Sequence, residues 1–498
     1  MVATKNRKLS GLSGFLEKHW LIAVLTLVVL SVVVRLFGIT KANLWHDEGF
    51  TAMLSGRDWL AIWQGSARDV HPPLYYELLH GWSLIFGNSV LALRSLSAVC
   101  GVLVVALGYK ITLRISKNFP LALLAFLFLA LNPFLVRYSQ EARMYGVLGV
   151  FLLIAMYGLI MVVENTKDIK GYLLYIVGIT AGLYTHYFTA LVVISFWLYV
   201  IYIYFRSKKD RISLLTNWRW WVANVLALVL FMPWVPSMIK QFTRAQGLGW
   251  LPKASLFTFN DTFWQFFTFT DAHRIWQPVY WAIPLVALVV IFYTAIKDRT
   301  KQRFSVMLIL FTLLPIFMAI AVSFVRPLFH ERYFVFSAIG LCILIAFALA
   351  YLFEKNKYLA IALAVIVVLT QVVGLRNVNS QANHKMGQVM SNLNTKFVAG
   401  DTIVSGELYT YFDGSFYNKT GSMMYLYTGG GRPNGYGESG LIYDKGVYID
   451  NYSEFKKGRI WLIGKTGQHD YYNNIPANWK LLETYVAGYS ELRLYQIQ

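Results

Sequence analysis

Charge is scarce in this chain. Only 14% of the 498 residues are Asp, Glu, Lys or Arg, against 57% hydrophobic. A soluble enzyme of this size would need amphipathic stripes with a polar face, and the long apolar runs here lack one. Cysteine is nearly absent: Cys100 and Cys342 both fall inside apolar runs, which excludes a disulfide framework and a cysteine zinc site. Acids are the scarcer sign, 25 against 45 basic residues, for a net charge of +20. That excess does not signal nucleic acid. Residues 380–498 hold eleven Lys/Arg against ten Asp/Glu, and the surplus sits in short loops between apolar runs, where cations set membrane orientation. The chain also has no HExxH pattern, no assignable Ser-His-Asp set and no internal repeat. The loop Gly429-Gly430-Gly431-Arg432-Pro433-Asn434-Gly435 lacks the Lys-Ser/Thr ending of a phosphate-binding loop.

What the chain does have is hydrophobic length. Apolar runs long enough for a bilayer recur at about 20–38, 88–109, 119–136, 144–163, 172–188, 189–205, 218–236, 277–296, 304–325, 333–353 and 358–376. They predict a polytopic α-helical membrane protein with about eleven spans. The first run is long and lacks a small-residue cleavage pattern, so it reads as a span rather than a secretory signal. With the N-terminus cytoplasmic, twenty Lys/Arg fall in inner loops and eleven in the much longer outer segments, as the positive-inside rule requires. Segments 39–87, 137–143, 237–276 and 326–332 then emerge outside. The short apolar segments 58–64 and 73–87 suit interfacial helices. After residue 379 the character changes. A helix over 381–397 and strands at 401–405, 423–427, 459–464 and 492–496 predict a small extracytoplasmic α/β domain, so the chain divides into a transmembrane domain (1–379) and a soluble one (380–498).

The polar residues of the outer segments carry the chemistry. His46-Asp47-Glu48 follows the first span. Carboxylates at a membrane mouth are expensive and usually functional: one can take a proton from an attacking hydroxyl or hold a metal, or else Asp47 caps an interfacial helix. His71-Pro72-Pro73-Leu74-Tyr75-Tyr76 starts a helix, with His71 a ligand, an acceptor contact or a turn residue. In Arg137-Tyr138-Ser139-Gln140-Glu141-Ala142-Arg143-Met144-Tyr145 the guanidinium forks match phosphate oxygens, against an ion pair of Glu141 with either arginine. Arg326-Pro327-Leu328-Phe329-His330-Glu331-Arg332-Tyr333 offers a second phosphate clamp, against snorkelling span-end arginines. His186 stands near the end of a span and is a satisfied interfacial histidine or a member of the site. Trp250, Trp264 and Asp271-Ala272-His273-Arg274 read as an aromatic belt or a lid.

Taken together, His46-Asp47-Glu48, His71-Pro72-Pro73-Leu74-Tyr75-Tyr76, Tyr138 to Tyr145 and Glu331-Arg332-Tyr333 resemble the GT-C glycosyltransferases, in the branch of bacterial relatives of protein O-mannosyltransferases and lipid A aminoarabinose transferases. The resemblance covers residues 20–376. It implies inverting transfer of a hexose or pentose from a polyprenyl-phosphate donor to a lipid, glycan or protein hydroxyl at the extracytoplasmic face. It makes Asp47 and Glu48 catalytic, Asp47 as the general base and Glu48 as the group that orients the acceptor or the base. His46, His71, Tyr75, Arg137, Glu141, Arg143, Tyr145, His186, His330 and Arg332 become candidate substrate contacts, with Arg143 and Arg332 on the donor phosphate. No cofactor follows with certainty, and a divalent metal stays open because the sequence shows no compact ligand set. The rival class is a transporter or lipid-linked sugar flippase, which would carry inverted repeats and mid-membrane charges. Here the charges gather at span ends.

Overall fold

The computed structural model describes residues 19–206, 212–244, 251, 253–270, 275–298, 300–380, 385–431, 435, 437–467 and 471–498. Trp250, Asp271 to Arg274 and Arg432 to Asn434 lie outside them. Helices follow in the order α1 (Trp20–Leu36), α2 (His46–Ser55), α3 (Trp59–Arg68), α4 (Leu74–Phe86), α5 (Val90–Ser116), α6 (Phe119–Leu131), α7 (Pro133–Ser139), α8 (Tyr145–Glu164), α9 (Ile169–Thr185), α10 (Thr189–Phe205), α11 (Trp218–Phe231), α12 (Val235–Arg244), α13 (Thr258–Thr268), α14 (Gln277–Lys297), α15 (Phe304–Ser323), α16 (Val335–Lys355), α17 (Lys357–Ser380), α18 (Met386–Lys396) and α19 (Leu408–Tyr417). All eleven apolar runs are helical. Among the described residues seven helices are long and apolar enough to cross a membrane, or eight with the bent pair α6–α7. Three more (α1, α9 and α10) are apolar but only 10–17 residues long.

The chain forms two compact units. One comprises residues 1–37, 95–236 and 248–380; the other comprises 38–94, 237–247 and 381–498. Residues 381–498 group with the segment that carries the acid motif.

In the first unit, close approach depends on small residues. A Cβ on Gly158 of α8 would meet the Gly171 carbonyl at 2.6 Å, and one on Gly178 of α9 would meet the Ala155 amide nitrogen at 2.5 Å. These two helices therefore touch backbone to backbone, as small residues allow within a bilayer. The break between α6 and α7 bends the chain by 57°. Its cause is Asn132-Pro133: the Asn132 side chain caps α7 through the Leu135 N–H at 3.0 Å, and proline opens the new helix. The buried Arg35 guanidinium donates to the carbonyls of Leu129 (3.3 Å) and Ala130 (3.2 Å), satisfying groups that the end of α6 leaves without helical partners. Gln140 does the same for α1, donating to the carbonyls of Arg35 and Phe37 at 3.0 and 2.9 Å. These caps hold the Arg137–Tyr145 segment in place.

In the second unit a six-stranded sheet has the order β3-β2-β1-β4-β6-β5. The strands are β1 (Thr402–Ser405), β2 (Met424–Tyr427), β3 (Tyr448–Ile449), β4 (Arg459–Lys465), β5 (Trp479–Ala487) and β6 (Ser490–Ile497). β1 to β4 run parallel; β6 is antiparallel to β4, and β5 to β6. α19 is the crossover that a parallel β1–β2 pair requires. Val404, Ile460 and Leu462 are fully buried with Tyr452, Trp479 and Tyr495. Leu462→Ala costs about 2–5 kcal/mol for such a site. Sequence patterning missed β5, whose burial alternates irregularly around a bulge between Leu481 and Glu483, and the two-residue β3.

Candidate active site

The acid motif belongs to the second unit and opens α2. Its chain enters the helix at Trp45 in extended conformation. Glu48 sits at the third helical position with its Oε2 3.4 Å from the Trp45 N–H, so the capping role considered for Asp47 falls to its neighbour. Glu48 is also fully buried and bound by the Arg94 fork at 2.8 and 2.6 Å. The same guanidinium donates to the carbonyls of Ile39 (2.6 Å), Ala42 (2.9 Å) and Asn43 (3.1 Å). One arginine thus ties the loop before α2 to the acid motif. Sequence reading left Arg94 inside the second apolar run. The signal was there, since a lone arginine in an apolar run needs a partner.

Asp47 is 8% and His46 7% exposed. The His46 Nε2 stands 2.5 Å from the Glu438 Oε2, a partner 392 residues away on the short turn Gly437–Leu441. The His46 ring packs against Tyr409 and Phe412 of α19, centroids 4.0 and 5.7 Å apart. α19 comes close because position 49 has no side chain: a Cβ on Gly49 would lie 2.8 Å from the Asp413 Oδ1. Asp413 is buried beside the motif, and loss of solvent with the charges of Glu48 and Asp47 raises its pKa well above the usual carboxylate range, partly offset by Lys465. The Tyr409 phenol is raised by burial and by Glu438, Glu407 and Asp47. Lys465 pairs with Glu407 at 3.1 Å. None of Asp413, Tyr409 or Glu438 was picked from sequence, because nothing local marks residues that only folding brings to the motif.

Tyr75 is fully buried in α4, its ring 5.8 Å from Tyr76. Tyr76 in turn meets Phe50 of α2 edge-on at 6.1 Å and donates to Asp69 at 3.5 Å. Tyr75 and Tyr76 therefore brace α4 against α2. His71 is half-buried ahead of the two buried prolines.

The arginine motifs belong to the first unit. Arg137 and Glu141 form an ion pair at 2.6 Å, the structural alternative weighed for that segment. Arg143, Arg332 and His186 are 4%, 8% and 4% exposed. The His186 Nδ1 accepts the Phe188 N–H at 3.2 Å, so the neutral ring carries its proton on Nε2. Tyr333 lies 5.1 Å from His186 and 6.4 Å from Tyr145, which joins α8, the α9–α10 turn and the start of α16 in one aromatic cluster. His330 sits at its edge, 3.2 Å from Glu331, and its Nδ1 accepts the Arg332 N–H at 3.4 Å.

Two buried guanidiniums near a neutral imidazole are groups whose chemistry suits an anion. A buried carboxylate at a helix start forms a proton acceptor. His46, Asp47 and Glu438 offer ligand atoms that all lie within 4.8 Å of one another, a donor set that fits a divalent cation.

Comparison with solved structures places this architecture. ArnT from Cupriavidus metallidurans superimposes with a TM-score of 0.65 in the apo state, at 12% identity, covering 96% of this chain and 98% of ArnT. Its undecaprenyl phosphate complex gives 0.63 at 12% identity, over 97% and 98% of the two chains. The fold is that of the GT-C glycosyltransferases. The oligosaccharyltransferase of Archaeoglobus fulgidus tethered to an acceptor peptide matches with a TM-score of 0.55 at 12% identity, over 91% of this chain and 70% of that one. Residues 70–236 match the model of the dolichyl-phosphate-mannose-protein mannosyltransferase family. No curated protein matches the chain by sequence. The GT-C fold and the apolar helices make this a multi-pass membrane protein.

Proposed function

We propose that the protein is an inverting glycosyltransferase that moves a monosaccharide from a polyprenyl-phosphate donor to an acceptor hydroxyl at the extracytoplasmic face. Asp47 takes the acceptor proton as the oxygen attacks the anomeric carbon. The sugar–phosphate bond breaks, and the lipid phosphate leaves with its charge. Arg143 and Arg332 stabilise that charge, with the His186 Nε2–H as a neutral donor. Glu48, held by Arg94, positions Asp47 rather than touching the substrate. A single displacement inverts the anomeric centre and needs no enzyme nucleophile.

The observation that carries this reading is the burial of Arg143 and Arg332 beside a histidine whose Nδ1 accepts a backbone N–H. Guanidinium forks match phosphate oxygens, so donors already held in place there suit a lipid phosphate. The undecaprenyl phosphate complex of ArnT supports a lipid phosphate as that anion, and the excess of cations in alternate loops supports the assigned face.

The test is purified protein in lipid nanodiscs with polyprenyl-phosphate sugars and a panel of lipid, glycan and peptide acceptors. Release of polyprenyl phosphate with a glycosylated acceptor is expected. Asp47→Asn should lower the rate by about 10²–10⁴-fold, the range for losing a general base, while the melting temperature holds. Wild-type turnover in that variant removes Asp47 as the base, and sugar-lipid translocation without phosphate release replaces the enzyme with a flippase.

A further inference from the structure

The transfer reaction leaves one cavity of the first unit unused. A cleft with about 810 Å³ of free space lies among the α5–α6 turn, the end of α14 and the C-terminal half of α16. Arg332 and Tyr333 come just before α16, which is 21 residues long. Its far end therefore stands about 30 Å from them, the thickness of a hydrocarbon core. We propose that this cleft holds one phospholipid whose headgroup carries both a phosphate and an ammonium, as phosphatidylethanolamine does.

The walls fit an amphiphile. Leu121, Leu344 and Phe347 form an apolar side, and Lys297 and Glu354 bring charge. Asp298 also borders the cleft, but its carboxylate is committed. It accepts the Thr300 N–H and hydroxyl at 3.0 and 2.6 Å, and the Ser305 N–H and hydroxyl at 3.3 and 2.5 Å. One cation and one anion remain, both exposed, and no ion pair joins them among the described residues. The elements that carry them are held together. The Tyr293 hydroxyl of α14 lies 3.4 Å from the Tyr351 hydroxyl of α16, and the Lys297 ammonium rests 5.3 Å from the Tyr293 ring centre.

Charge then selects the headgroup. A phosphate alone would satisfy Lys297 and set a second negative charge against Glu354, a repulsion that turns purely anionic headgroups away. A headgroup that also bears an ammonium answers both side chains. Its phosphate meets Lys297, and its ammonium meets the Glu354 carboxylate and the ring of Tyr351, which lines the same cleft and serves as a cation–π partner. The apolar side takes the start of an acyl chain. That burial separates the lipid from soluble phosphoethanolamine, which carries the same charges without the hydrocarbon.

The test uses purified full-length protein in detergent, washed free of lipid, with binding read by native mass spectrometry and by melting temperature. Phosphatidylethanolamine should bind at about one per chain and raise the melting temperature as its concentration grows. It should bind at least tenfold more tightly than phosphatidylglycerol, whose headgroup lacks the ammonium. Glu354→Gln should erase that preference by weakening phosphatidylethanolamine at least tenfold, whereas Lys297→Gln should weaken both lipids. Both side chains are exposed, so the lipid-free variants should melt with the wild type. Equal affinity of wild type for the two lipids, or an unchanged preference in Glu354→Gln, overturns the site. So does soluble phosphoethanolamine binding as tightly as the lipid. Neither donor nor acceptor is present, so failure here leaves the transfer reading untouched, and a chain without transfer activity can still hold the lipid.

Discussion

Glu48 with Arg94, and Glu141 with Arg137, are the same two side-chain types in different settings. The first pair is 0% and 3% exposed, and its guanidinium also binds three backbone carbonyls. The second spans one helical turn, and its arginine is 23% exposed. In the acid cluster, then, the arginine is a structural rivet that consumes all its donors. In the arginine cluster the partly exposed Arg137 pairs with the buried Glu141, while Arg143 and Arg332 are themselves buried. On the proposed reading, the same residue type supports the fold in one region and offers charge to a ligand in the other, and its neighbourhood decides which.

Breaking the rivet should show the largest effect. Arg94→Leu leaves Glu48 as an uncompensated buried charge, a loss of about 3–5 kcal/mol. It should appear as a large drop in melting temperature, with partial recovery in the double variant Arg94→Leu/Glu48→Gln. A single variant as stable as wild type would erase the distinction between the two pairs. Next comes the ligand-facing side. Arg332→Gln should weaken binding of polyprenyl phosphate roughly 10–100-fold, as loss of a charge-assisted hydrogen bond of about 1.5–3 kcal/mol implies. Its melting temperature without ligand should change far less than that of Arg94→Leu. Equilibrium binding of a fluorescent lipid phosphate reads the difference.

Smaller still is an acid-sensitive contact in the sheet domain. Asp401 binds Arg459 at 2.9 and 2.6 Å and accepts the Trp461 Nε1–H at 2.8 Å. Burial opposes its charge, but these bonds, with one from the Val398 N–H, hold its pKa below the usual value. A carboxylate depressed in the folded state stabilises above its unfolded pKa of about 3.9 and loses that contribution as pH falls through the folded value. Melting curves below pH 4 should therefore fall more steeply for wild type than for Asp401→Asn. Arg137→Ala should cost less than Arg94→Leu, because Arg137 is 23% exposed and water can follow its shortened side chain to the buried Glu141 carboxylate. A cost matching that of Arg94→Leu would show that exposure is not what separates the pairs.

The helices and the membrane class were readable in the sequence because a span is a local property. About twenty apolar residues define it without reference to the rest of the chain, and all eleven runs are helical, 119–136 as the bent pair α6–α7. The motifs were readable because a charge in an apolar context stands out, as did Asp47, Arg143 and Arg332. Partners were not. Arg94 was hidden in an apolar run, Glu438 lay in an unremarkable loop, and Asp413 had nothing local to mark it. β5 escaped because its pleat is broken by a bulge.

Hydrophobic length by itself determined the apolar helices, and the isolated polar clusters marked the segments from which the proposed site is drawn. Only the tertiary structure decided that Glu48 belongs to Arg94, that Arg143 and Arg332 share His186, and that His46 and Asp47 meet a glutamate from the far end of the chain. The physical reason is range. Burial of a span is set residue by residue, whereas charge compensation depends on distances that exist only after segments hundreds of positions apart have packed together.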